Sequence, residues 1–327
     1  MEQVAAPKGL IHALLLDGRG HSNELSWAAV AEWQATQGCL WLHFDFEDPG
    51  AQQWLRQDSG LSEIAADALI STDTRPRTLN KGDNLLLALR GVNADQDSEH
   101  EEMISLRLWT DGQRLISTRR RRLRATTDVK ELLAEGSGPS NATELLVEWI
   151  DRITWRMTEM VDAFDDEVLA LENQVVEDDL AGVRSQLADL RKHAISIRRY
   201  LAPQREAMNR LINENLSWLD DTSRLRLREV NDQLIRHIED IDEVRERAAI
   251  AQDELSTRVA EQMNNRSYVF TVVATIFLPL GFFTGLLGIN VGGVPGVESE
   301  SAFWIVVSIC IITTAMLGIA FRMKRWL

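Results

Sequence analysis

The chain has 327 residues, enough for about two domains, and a formal net charge of −15. Nucleic-acid binding rests on basic surface, so this balance argues against nucleic acid as a partner; the acidity serves either plain solubility or a vestibule that gathers cations. The two cysteines, Cys39 and Cys310, are far apart in sequence, which leaves neither a disulfide framework nor a thiolate metal cage.

Met1 to Asp17 has one lysine and a short apolar run, so no cleaved leader is expected. Short apolar segments, several of them alternating, predict strands over Leu10 to Leu16, Leu40 to Phe46, Asn84 to Val92, Met103 to Thr110 and Arg114 to Thr118. Asp111-Gly112 marks a hairpin turn between the last two. Helical spacing over Trp27 to Thr36 and Ser62 to Leu69, with Ser62 as N-cap, places helices between strands. The pattern is an α/β layered domain over 1–140, closed by the segment around Gly138-Pro139. Arg119 to Arg122 with Arg124 form its main basic cluster, ahead of a helix expected near Thr127. Salt bridges to acidic neighbours explain that cluster, and contact with anionic lipid is the other option.

Residues 141–265 read as helical, with breaks near Leu180 to Gly182 and Asp220 to Ser223. Leu227, Val230, Leu234, Ile238, Ile241, Val244, Ala248, Leu255, Val259 and Met263 form one apolar stripe. No Gly or Pro interrupts residues 221–278, so one helix of roughly 100 Å is expected up to the end of the next apolar run, with Pro279 as the place for a kink. Such a stripe needs other helices or other subunits to cover it. Acids along these helices, among them Asp162, Asp165, Glu239 and Asp242, read as solvated faces. His193 and His237 have no histidine or cysteine near them in sequence, so a metal site there would need tertiary or intersubunit pairing.

From Ser267 to Val297, and again from Ser301 to Phe321, there is no Asp, Glu, Lys, Arg or His. Each run supplies the roughly 20 apolar residues that cross a bilayer as a helix. Spans are expected at about 268–288 and 302–321, within a membrane region 266–327. Arg258 and Arg266 before the first span and Arg322, Lys324 and Arg325 after the second put both termini in the cytoplasm. The connecting loop, with only Glu298 and Glu300 charged, then faces outward.

The first span closes on Gly281, Gly285 and Gly288-Ile289-Asn290-Val291-Gly292-Gly293-Val294-Pro295-Gly296. Its position between two C-terminal spans resembles the CorA-type metal ion transporter family, whose signature there is Gly-Met-Asn; Ile289 departs from it at the middle residue. The residues after Asn290, together with Leu16-Asp17-Gly18-Arg19-Gly20, Thr74-Arg75-Pro76-Arg77 and Arg198 to Arg205, are similar to the zinc-transporting ZntB branch. The resemblance implies a homopentameric funnel in a bacterial-type inner membrane, Zn2+ as the transported ion, no cofactor, and proton-coupled uptake. Two helices per chain cannot enclose an aqueous path, so physics independently requires a homo-oligomer in the bilayer.

Counting back from Asn290 along one helical face gives Gly285, Gly281, Leu278, Ala274, Phe270, Ser267 and Asn264. This small or apolar line suits a narrow pore, although the glycines equally permit close helix packing. It offers no carboxylate, imidazole or thiolate, so an ion passing it keeps most of its water, and selection falls to Gly288, Ile289 and Asn290 at the entrance and to pore width. Phe270 and Leu278 are candidate constrictions. Glu298 and Glu300 would form an outer ring that concentrates divalent cations, or would simply solvate a turn. No P-loop and no Gly-x-Ser-x-Gly elbow points to an enzyme. Zinc efflux, passive flow of hydrated cations including magnesium, and a membrane-anchored sensor or scaffold remain the alternatives.

Overall fold

The computed structural model describes residues 6–72, 75–92, 103–177, 182–288 and 301–323. The chain divides into two compact units, Met1–Gln252 and Asp253–Leu327.

In the first unit the elements run β1 (Leu10–Leu16), β2 (Ser22–Glu24), α1 (Trp27–Ala31), β3 (Leu40–Asp45), α2 (Pro49–Gln57), α3 (Glu63–Ile70), β4 (Arg77–Lys81), β5 (Asn84–Val92), β6 (Met103–Thr110), β7 (Arg114–Arg119), α4 (Arg124–Glu135), α5 (Ala142–Val176) and α6 (Val183–Asn213). The seven strands form one sheet ordered β2-β1-β3-β7-β6-β5-β4. Every neighbouring pair is antiparallel except β3 and β7, which run parallel. The β6–β7 turn falls at Asp111-Gly112, with Gly112 at φ +86°.

Layers follow from the side-chain alternation along β3. Leu40, Leu42 and Phe44 pack with Ala51 and Leu55 of α2 and Ala65, Ala68 and Leu69 of α3. Trp41 and His43 point the other way, where Trp41 meets Trp149 of α5 edge-on at 4.9 Å. The sheet is therefore buried on both faces, which is why β3 reads as a continuous apolar run. On the α5 side, α6 is fixed to the sheet by Thr78 Oγ1 donating to the Ala207 carbonyl at 2.6 Å and by the Arg90 N–H donating to Gln204 Oε1 at 2.7 Å.

Helix starts obey local chemistry. Ser62 caps α3 by accepting from the Ala65 N–H, and Asp48 caps α2 with Pro49 in its first turn. Helix α1 is shorter than its spacing predicts: it ends at Ala31, and a 3-10 turn follows at Ala35–Gln37.

A single helix, α7 (Asp221–Leu287), contributes to both units. Within the first unit Arg226 pairs with Glu148, His237 lies 3.3 Å from Thr158, and Arg247 clamps Glu172 and Asp165, so α7 runs parallel to α5. Asn231 bonds Asn209 while Arg198 bonds Asp242, so α6 runs antiparallel to both. The α7 stripe is buried from Leu227 through Leu255.

The second unit holds the rest of α7 and α8 (Ala302–Met323). Both contain stretches long and apolar enough to cross a membrane. The architecture is a mixed α/β N-terminal domain followed by a long helix and two apolar C-terminal helical segments.

Candidate functional site

In the second unit, the partly covered side chains of α7 include Tyr268, Val272, Thr275, Ile276 and Pro279. At about 3.6 residues per turn these occupy one face of the helix. Ser267, Phe270, Ala274, Leu278, Gly281 and Gly285 lie on the other side of the helix and Asn264 nearer the covered face, and all seven are exposed in the single chain. Phe270 is 76 % exposed and Leu278 77 %. A side chain built at Gly281 or Gly285 would meet nothing within 4 Å. Val269, Val273, Phe277 and Phe282 are exposed as well, so this line of small residues, with Phe270 and Leu278 in it, is part of a wider bare surface.

That face continues the stripe from lower in the helix. Val259 and Met263 are exposed, whereas the stripe up to Leu255 is covered. Backbone polarity along the apolar stretch is held inside the helix, and the hydroxyls of Thr271, Thr275 and Thr284 donate to the carbonyls of Ser267, Thr271 and Leu280.

Helix α7 closes at Leu287, with the Gly288 N–H bonded to the Thr284 carbonyl at 3.0 Å. A helix C-terminus carries the negative pole of the helix dipole, so a cation is favoured there over an anion. Ile289, Asn290, Glu298 and Glu300 lie outside the described residues.

The helical acids are engaged in several places. Asp165 pairs with Arg247, and Asp242 with Arg198 and Arg245. Burial pushes the His237 pKa down, against the pull of Asp240. Among the described residues no group of three or more His, Cys, Asp or Glu side chains could hold a metal ion.

Residues 36–325 match the family model described as CorA-like Mg2+ transporter protein. The chain belongs to the CorA-like family. Its relatives match it end to end. The divalent cation transporter CmaX of Pseudomonas aeruginosa is 38% identical over 323 residues, 98% of this chain and 97% of the relative. The zinc transport protein ZntB of Yersinia enterocolitica is 35% identical over 319 residues, 97% of this chain and 96% of the relative. The solved structure of full-length CmaX superposes with a TM-score of 0.85 at 37% identity, covering 99% of this chain and all (100%) of that one. The CorA-like layout of an α/β domain, a long helix and a second apolar helix is therefore shared along the whole chain, including the stretch of α7 that bears the bare face.

Proposed function

We propose that this chain is a divalent-cation transporter of the inner membrane that carries zinc inward through a central pore, lined by the exposed face of α7 in a homopentamer with both termini cytoplasmic. The single observation behind this reading is the bare line from Asn264 to Gly285, which leads to the C-terminal pole of α7 next to Gly288-Ile289-Asn290. One chain cannot enclose a path with it, and copies arranged around an axis can. An ion on that line meets no ligand able to replace its hydration shell, so it travels hydrated. Selection then rests on Gly288, Ile289 and Asn290, while Phe270 and Leu278 narrow the path and Glu298 and Glu300 enrich cations at the outer mouth. The zinc assignment draws on the ZntB relative and on the Val291 to Gly296 sequence; the names of other relatives refer to magnesium or to divalent cations in general.

A proton gradient is the proposed driving force. The second reading is passive flow down the membrane potential, and a specific observation favours it: Ser267 to Gly288 contains no side chain that titrates near neutral pH. Flux into proteoliposomes, comparing zinc with magnesium and with or without an imposed proton gradient, tests both. The expected result is zinc flux above magnesium flux, raised by the gradient and abolished in an Asn290→Ala variant that still assembles. Gradient-independent flux would select the passive reading, and absence of flux for either ion would remove transport.

A further inference from the structure

The basic cluster at the end of β7 belongs to the first unit. Arg120 is drawn to Glu47, with Nε 2.7 Å from Oε1. Arg119 and Arg122 instead line a cavity of about 420 Å³, together with Ile11 and His12 of β1, His43 of β3, and Thr126, Thr127, Lys130, Glu131 and Ala134 of α4. Three cations against one carboxylate give this wall the opposite sign to the chain as a whole, whose net charge is −15. Glu131 also acts on Arg156, and Asp45, the register partner of Arg119, acts on that arginine from the sheet.

The sheet supplies the floor. His12 and His43 are register partners on β1 and β3, next to the irregularity between Leu10 and His12, and their rings stack at 5.0 Å. His12 is 4 % exposed, His43 1 % and Thr126 4 %. The His43 Nδ1 is engaged by Ser117 Oγ at 2.8 Å. Among the described residues, His43 Nε2, both ring nitrogens of His12 and Thr126 Oγ1 have no hydrogen-bond partner, and all four atoms are closed to solvent. Buried polar atoms in native proteins are normally satisfied. Four unsatisfied ones sit in residues that line one cavity, although none of the four atoms is itself exposed to it.

The field decides which kind of occupant. Burial, then Lys130 and Arg119, push the His12 pKa down to about 3, and burial also holds His43 well below its usual value. Burial is the first cause for both rings and penalises an ion of either sign; Lys130 and Arg119 add a smaller effect that disfavours a cation in particular and that an anion held between them would offset. Thr126 and Thr127 belong to the first turns of α4, a 12-residue helix whose N-cap, Leu123, has no side chain that can cap, so the positive pole of that helix adds to the same field.

We propose that this cavity binds a phosphate group, either as the free ion or as the monoester end of a small metabolite. Arg119 offers a planar fork suited to its oxygens and Lys130 a point charge, with Arg122 adding positive charge to the wall. The exposed Thr127, also on the cavity wall, offers a hydroxyl from the start of α4.

Isothermal titration of the full chain in detergent, metal-free and at ionic strength matched with chloride, tests this with inorganic phosphate and with AMP as probes. The expected result is saturable binding at one site per chain, weakened at least tenfold in Lys130→Gln, an exposed position where folding is not at stake, and further in Arg119→Gln/Lys130→Gln. Tighter binding of AMP than of phosphate would assign the monoester, and equal or weaker binding of AMP the free ion. No saturable heat beyond the chloride control, or binding undiminished in both variants, would overturn the proposal. So would zinc, titrated alone, binding in a manner lost in His12→Gln.

Discussion

At His12, burial and the charges of Lys130 and Arg119 hold the imidazole at a pKa of about 3, against 6.5 for the free side chain. His43, fully buried beside it, is shifted the same way. The unfolded chain binds these protons more readily than the folded one, so the stability from keeping both rings neutral is present above pH 6.5 and is lost as pH falls from there towards 3. The slope approaches about 1.4 kcal/mol per pH unit for each histidine. Asp83, held below the usual carboxylate range by the Ser217 hydroxyl and N–H, works in the same direction but only at lower pH. Denaturant midpoints should therefore drop between pH 7 and pH 5, with a shallower drop in His12→Gln; a midpoint flat over that window would contradict the neutral pair. The capping role of Ser62 was legible in the sequence because a cap acts over three residues. The histidine pair was not, because it exists only once β1 and β3 are in register.

Among the elements, the five strands read from the sequence are the five inner, apolar ones, where alternation or a continuous buried run leaves a clear mark. The edge strands β2 and β4 are short and mostly polar, and the sequence pattern missed both. Helix α2 was missed although Asp48-Pro49 is a recognisable start signal. The pairing of α7 with α5 was hidden for another reason: acids that read as solvated faces turn out to bind arginines across the helices. Arg247 donates from Nε and Nη2 to Glu172 at 3.0 and 2.6 Å and from Nη1 to Asp165. The cluster is partly exposed, so Arg247→Ala should cost about 1–2 kcal/mol, towards the low end for charge-assisted bonds. Chemical unfolding followed by tryptophan fluorescence measures it, and a loss below about 0.3 kcal/mol would reduce the clamp to a surface decoration.

For the whole molecule, the stripe along α7 explains what one chain can do alone. Up to Leu255 the stripe is buried, while Val259, Met263, Phe270 and Leu278 remain bare. The sequence required that something cover or use the outer part, and family membership was legible from the Gly288-Ile289-Asn290 region and its place between two apolar runs. The assembly was not legible, because the contacts that complete it lie between chains. The central claim is that the bare face lines the ion path and the opposite face does not. Single cysteines at Ala274 and Gly281, and at Val272 and Ile276 as controls, in a Cys39→Ala/Cys310→Ala background, test it by zinc flux before and after a water-soluble thiol reagent. The account predicts block at 274 and 281 and unchanged flux at 272 and 276. Equal sensitivity on both faces, or block confined to 272 and 276, would contradict it.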